Sequence, residues 1–82
     1  MDRDAILTKL KEVLLSEFKL DPDSISFEKR LEDDLELDSL DAVDLLLALT
    51  DYVKEELNPT MLKDVKTIED LVDLLVPIWR QT

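Results

Sequence analysis

The sequence predicts an all-α fold, a small bundle of three principal helices and one short helix with a long loop between the first and second helices. Apolar residues recur at three- and four-residue steps in three segments, and no segment alternates apolar and polar residues as a strand does. Glycine is absent from the chain. Its 82 residues, 45% of them hydrophobic, suit one small core, so we expect a single domain over residues 1–82.

The first helix is predicted over residues 4–18, where apolar residues fall on one helical face. These are Ile6, Leu7, Leu10, Val13, Leu14 and Phe18. Residues 19–38 follow neither a helical nor a strand period, and Pro22 within a group of Asp and Ser marks a turn. We expect a long loop, more often functional than not, that is held to the core by Leu20, Ile25, Phe27, Leu31, Leu35 and Leu37.

The second helix is predicted over residues 39–56, with Asp38 as its N-cap and Asp41 completing a capping box. At about 100° per residue, its apolar residues separate into two groups. The group expected in the core comprises Ala42, Leu45, Leu46, Leu49 and Val53. The opposite group, expected to face water among acidic residues, comprises Leu40, Val43 and Leu47.

The remaining helices are predicted from their caps. Asn58 followed by Pro59 indicates the start of a short third helix that extends to about residue 65. Thr67 and Asp70 form a capping box for the last helix, which Pro77 ends or kinks.

Charge excludes several classes of partner. Twenty-one acidic residues against ten basic ones give a net charge of −11, which repels nucleic acid and anionic lipid and attracts proteins with basic patches. The longest apolar run covers residues 45–49, far below the roughly 20 residues that span a bilayer. With no cysteine and no leader-like N-terminus, we expect a cytoplasmic monomer that does not insert into membranes.

The absence of histidine argues against an enzyme. Ser39 has no histidine base within the chain, so a Ser-His-Asp hydrolase is excluded and no catalytic residue is expected. An EF-hand loop starting at Asp21 would have Ile25 at its fifth position and Ser26 in place of the required glycine. No metal site is therefore expected, although a calcium-binding protein is a natural alternative for a small acidic chain.

Ser39 is the residue with the most specific prediction. A serine at such a position usually caps the helix, but Asp38 competes for that role. With Asp38 as cap, Ser39 becomes the first helical residue, and its free hydroxyl lies at the positive end of the helix dipole. That position favours a phosphate ester.

The outward group on the second helix has two interpretations. Leu40, Val43 and Leu47 contact the loop or another helix, or they form a docking surface on which the surrounding carboxylates steer basic partners. The first interpretation carries weight for Leu40, and we favour the second for Val43 and Leu47. A helical adaptor protein without a prosthetic group would also explain the acids and the outward leucines, but it gives Ser39 no task.

Residues 34–41, D-L-E-L-D-S-L-D, followed by V-D-L at 43–45 and L-A-L at 47–49, resemble the acyl carrier protein signature D-L-G-x-D-S-L-D-x-V-E-L. The order of helices and caps resembles that family over the whole chain. The resemblance implies that a phosphopantetheinyl transferase attaches 4′-phosphopantetheine from coenzyme A to Ser39 as a phosphodiester. The arm would carry acyl groups as thioesters for fatty-acid, polyketide or related lipid synthesis.

The same resemblance implies roles for the neighbouring residues. Asp38 matches the acid that helps the transferase and its magnesium engage, and Leu40 completes the attachment motif. Acyl-transfer and synthase enzymes with basic docking patches are the implied partners. The residues expected to contact partners are Asp41, Val43, Asp44, Leu47, Asp51 and Met61.

Some residues depart from the family pattern, and the cargo stays open. Glu36 stands where the family usually has glycine, so we expect the loop to avoid a left-handed backbone there. Met61 and Lys63 make the third helix less acidic than in common fatty-acid carriers, and Trp79 and Arg80 match no family feature. A carrier of aminoacyl or peptidyl groups is the alternative within the class.

Overall fold

The computed structural model describes residues 3–80, and it confirms the all-α prediction. Its three α-helices are α1 (Arg3–Phe18), α2 (Ser39–Leu49) and α3 (Ile68–Leu75). Four 3₁₀ turns lie between or after them, at Pro22–Ser24, Thr50–Tyr52, Pro59–Leu62 and Val76–Ile78. Within residues 3–80 there is no strand, and no helix is long and apolar enough to cross a membrane.

The core lies where α1 contacts both α2 and α3. The side chains at its centre are almost completely removed from solvent: Ile6, Leu10, Leu14, Leu45, Leu49, Ile68, Leu71, Val72 and Leu75. Each buried aliphatic side chain of this size stabilises the fold by roughly 1.5–3 kcal/mol relative to exposure. Leu7 and Phe18 of α1 pack against this core while half-buried.

The long loop is held to the core as predicted. Four of its apolar residues are buried, namely Ile25, Leu31, Leu35 and Leu37, and Leu20 and Phe27 pack against the core while half-buried. Backbone hydrogen bonds also tie the loop to the start of α3, because Leu31 N donates to Lys66 O at 2.9 Å and Ile68 N donates to Lys29 O at 2.9 Å. The loop is therefore a fixed part of the fold that delivers the chain to α2.

The expectation for Glu36 is wrong, because this residue adopts a left-handed backbone with φ of 58°. Glu36 N donates to Glu32 O at 3.1 Å, and Leu37 N donates to Leu31 O at 2.8 Å. This tight turn reverses the chain so that the residues on both sides of Glu36 are buried while Glu36 itself stays exposed. A left-handed non-glycine residue costs roughly 1–2 kcal/mol, and burial of its two neighbours offsets that cost.

The predicted end of the second helix is also wrong, because α2 ends at Leu49 rather than near residue 56. After one 3₁₀ turn, Val53 becomes extended and forms an isolated antiparallel bridge with Trp79. Tyr52 stacks on Trp79 with ring centroids 5.9 Å apart, and Arg80 Nε donates to Val53 O at 2.9 Å. The C-terminal residues without a family counterpart thus close the bundle by pairing with the segment after α2.

The third helix is shorter than predicted, whereas the start of the last helix is confirmed. Pro59–Leu62 forms a single 3₁₀ turn instead of a helix that reaches residue 65. The capping box of α3 pairs Thr67 with Asp70, as expected. Backbone N–H groups of Lys66 and Thr67 donate to the Asp70 carboxylate, and these bonds lower the pKa of Asp70 below its usual value.

Candidate functional site

Ser39 is the first residue of α2, and the residue before it caps the helix. Asp41 N donates to Asp38 Oδ1 at 2.9 Å, and Asp38 N donates to Asp41 Oδ2 at 3.4 Å, which completes the predicted capping box. Asp38 satisfies the helix end, so the Ser39 side chain is not needed for it. Ser39 is exposed, and its hydroxyl makes no hydrogen bond with any residue from 3 to 80.

A cavity of about 550 Å³ opens beside Ser39. The first turns of α2 form one wall, with Ser39, Ala42 and Val43. Leu62, at the end of the third 3₁₀ turn, and Val65, in the segment that follows, also line the cavity. Charged side chains from that segment and from the loop form the rest of the lining. Ser39 therefore lies at the edge of a concave, partly apolar space.

The outward group of α2 is only partly as predicted. Leu40 is 77% exposed and Leu47 is 69% exposed, which confirms that these two large apolar side chains face water. Val43 is half-buried and lines the cavity, so the expectation that it faces open solvent is wrong. Ala42, expected in the core, is half-buried in the same cavity wall.

The other residues proposed for partner contact differ in accessibility. Asp44 and Asp51 are exposed on or just after α2, whereas Asp41 is half-buried and takes part in the capping box. Met61 is half-buried against the core, and its Sδ lies 3.5 Å from the donating Asn58 N. Asp44 and Asp51 thus lie on the open surface with Leu40 and Leu47, and Met61 does not.

The basic residues that line the cavity were not predicted from the sequence. Arg30, Lys63 and Lys66 bring basic groups to the same cavity as Ser39. The only signal in the sequence is that Lys63 and Lys66 interrupt an otherwise acidic chain three residues apart. Spacing alone does not place them at the same cavity as Ser39, because that juxtaposition depends on how the loop packs against the start of α3.

The chemistry available to this site is limited to that of an accessible hydroxyl. The chain has no histidine, and within residues 3–80 no group of three or more Asp or Glu side chains is arranged to hold a metal ion. A serine hydroxyl without a neighbouring base is a weak nucleophile. Within the described residues, Ser39 therefore offers a hydroxyl with neither a histidine base nor a group of carboxylates arranged for a metal ion beside it.

Comparison with known proteins points to one family. Residues 8–75 match the family described as "Phosphopantetheine attachment site". A relative from Coprothermobacter proteolyticus, named acyl carrier protein, is 36% identical over 92% of this chain and 92% of its own length. Relatives with the same name from Phytoplasma australiense and Thermosynechococcus vestitus are 37% and 31% identical, over 82% and 92% of this chain and over 88% and 93% of their own lengths.

Proposed function

Because the chain belongs to the phosphopantetheine attachment site family, we propose that Ser39 carries its 4′-phosphopantetheine arm. The function is that of an acyl carrier protein, in which the thiol of the attached arm holds acyl groups as thioesters. The observation that supports Ser39 is its exposed hydroxyl, which lines the cavity and makes no hydrogen bond with the described residues. No other described element offers a hydroxyl immediately after an aspartate cap at the start of an α-helix.

In the attachment step, Ser39 Oγ attacks the phosphorus of coenzyme A that bears the pantetheine. A phosphorus–oxygen bond to Ser39 forms, and the pyrophosphate phosphorus–oxygen bond breaks with release of adenosine 3′,5′-bisphosphate. The hydroxyl proton is proposed to go to a base of the transferase, because the chain has no histidine to accept it. Asp38 accepts the cap hydrogen bond through Oδ1, and no residue from 3 to 80 donates to its Oδ2, so that oxygen would be able to approach the magnesium of the transferase.

Partners are proposed to dock on the exposed side of α2. Leu40 and Leu47 offer apolar area beside Asp44 and Asp51, a pattern that fits enzymes with basic patches around an apolar contact. The partners in this proposal are the transferase and acyl-transfer and synthase enzymes, with no nucleic acid and no membrane insertion. The protein itself is proposed to act as a single-domain cytoplasmic monomer without catalytic activity.

Intact-mass measurement on Ser39→Ala tests the attachment site directly. The wild type, incubated with coenzyme A, magnesium and a broad-specificity transferase, should gain the mass of one phosphopantetheine, and Ser39→Ala should gain none. Ser16→Ala, which removes another exposed serine, should be modified like the wild type. Modification of Ser39→Ala would refute the assignment, and an unmodified wild type would favour an adaptor without a prosthetic group.

A further inference from the structure

The cavity beside Ser39 differs in charge from the rest of the molecule. The chain has a net charge of −11 and only ten basic residues, yet three of these line this one cavity. The charged residues that line it are Arg30, Lys63 and Lys66 together with Glu32, Asp33 and Asp38. Positive and negative groups therefore balance here, in a protein whose acids outnumber its bases two to one.

Backbone contacts fix where these cations lie. Arg30 and Thr67 form an isolated antiparallel bridge, and Leu31 N donates to Lys66 O at 2.9 Å. These contacts hold Arg30 and Lys66 on adjacent chain segments, and both residues line the cavity. Lys63 follows the third 3₁₀ turn, where its N donates to Thr60 O at 3.1 Å.

Two of the three cations form no ion pair with the described residues. Arg30 Nη1 lies 3.4 Å from Asp33 Oδ2, so its charge is already matched within the loop. Within residues 3–80 no carboxylate lies within ion-pair distance of the ammonium groups of Lys63 or Lys66. Lys66 is close enough to Asp70 to help lower the pKa of that carboxyl, but neither lysine is held in an ion pair within residues 3–80, so both ammonium groups can approach an anion beside the cavity.

We propose that Lys63 and Lys66 bind the phosphodiester that joins Ser39 to its arm. This inference rests on the proposed attachment at Ser39. The phosphodiester is an anion placed among the carboxylates of Glu36, Asp38 and Asp41, which repel it. Lysine has a compact charge on a flexible stem, and both lysines line the same cavity as Ser39, so their ammonium groups can turn toward it. The first part of the arm is then held over the cavity instead of extending freely into solvent.

Phosphorus-31 NMR on the arm-bearing protein tests this assignment. The samples are the wild type, the double variant Lys63→Gln/Lys66→Gln and the control Lys54→Gln, which removes an exposed lysine that does not line the cavity. In the wild type and the control, the phosphodiester resonance should shift when salt is added, because salt screens the contact. In the double variant, the resonance should lie, at every salt concentration, near the position that the wild type shows at high salt.

Melting temperatures give a second, independent readout. The change in melting temperature on attachment of the arm is measured for the wild type and for the double variant. We expect the wild-type change to be more positive than that of the double variant by roughly 2–6 °C. Lys63→Arg/Lys66→Arg should behave like the wild type, because it keeps both charges. Identical phosphorus resonances, salt responses and melting-temperature changes in the wild type and the double variant would overturn the inference. Intact mass separates this failure from that of the proposed function, since the latter requires that no arm is attached at all.

Discussion

The two sides of α2 carry the same residue type in opposite environments. Leu45 and Leu49 are almost completely buried in the core, while Leu40 and Leu47 on the other side are mostly exposed. Leucine content therefore does not distinguish the side that stabilises the fold from the side available to partners. The position of each leucine relative to the helical period distinguishes them.

The difference teaches that stability and recognition are encoded on separate faces of one helix. Folding removes the apolar area of the buried face from water and packs it in the core, which stabilises the domain. The exposed face leaves apolar area in water, which is unfavourable unless another protein covers it. Substitutions on the buried face should therefore lower stability more than partner binding, and substitutions on the exposed face should do the reverse.

The largest expected effect is on stability, from truncation of the buried face. Leu49→Ala removes a fully buried side chain and should lower the free energy of unfolding by roughly 2–5 kcal/mol. Leu47→Ala makes the same chemical change on the exposed face and should cost less than about 1 kcal/mol. Chemical denaturation of the two variants measures both values. If both lose similar stability, Leu47 is buried in solution and the two faces are not separate.

The rate of modification by the transferase should be affected more by Leu47→Ala than by Leu49→Ala, the reverse of their effects on stability. Leu47→Ala removes one of the two exposed leucines of α2, and we expect the transferase to modify this variant about tenfold more slowly at low carrier concentration. Leu49→Ala, at a temperature where it is folded, should be modified at close to the wild-type rate. Equal rates for Leu47→Ala and the wild type would place the docking surface elsewhere on the molecule.

Much of this separation could be predicted from the sequence, because local rules determine it. The helical period places Leu47 and Leu49 on different sides of α2, and short-range hydrogen bonds determine the Asp38–Asp41 and Thr67–Asp70 caps. Both follow from residues within one or two turns of each other. The position of Ser39 as the first residue of α2 could be predicted for the same reason, since the cap that precedes it is local.

Features that depend on distant contacts could not be predicted. α2 ends at Leu49 because Val53 pairs with Trp79, and nothing near residue 49 in the sequence signals that bridge. The juxtaposition of Lys66 with Ser39 likewise requires the loop to pack against the start of α3. Glu36 was predicted incorrectly because residue type argues against a left-handed backbone, whereas burial of Leu35 and Leu37 requires one.

A smaller effect concerns the turn that leads into α2, where the exposed Glu36 separates two buried leucines. Glu36→Gly should stabilise the protein by about 1 kcal/mol, because glycine adopts the left-handed backbone without steric cost. Lys19→Gly is the matched control, since Lys19 has φ of 59° and carries the opposite charge. A backbone effect stabilises both variants. If Glu36→Gly gains and Lys19→Gly loses stability in denaturant titrations, charge is the cause and the backbone explanation is wrong.

The smallest expected effect is the electrostatic part of recognition on the exposed face. Asp44→Lys and Asp51→Lys place positive charges beside Leu47, and each should slow association with the transferase by roughly threefold at low salt. Glu17→Lys makes the same reversal on α1 and should leave association nearly unchanged, because that helix is not part of the docking face. Stopped-flow association rates at low and at about 0.5 M salt would measure this, and the differences should largely disappear at the higher salt as screening increases. If the reversals on α2 and α1 slow association equally, net charge rather than position steers the partner, and the acids of the exposed face then act only as part of the overall charge.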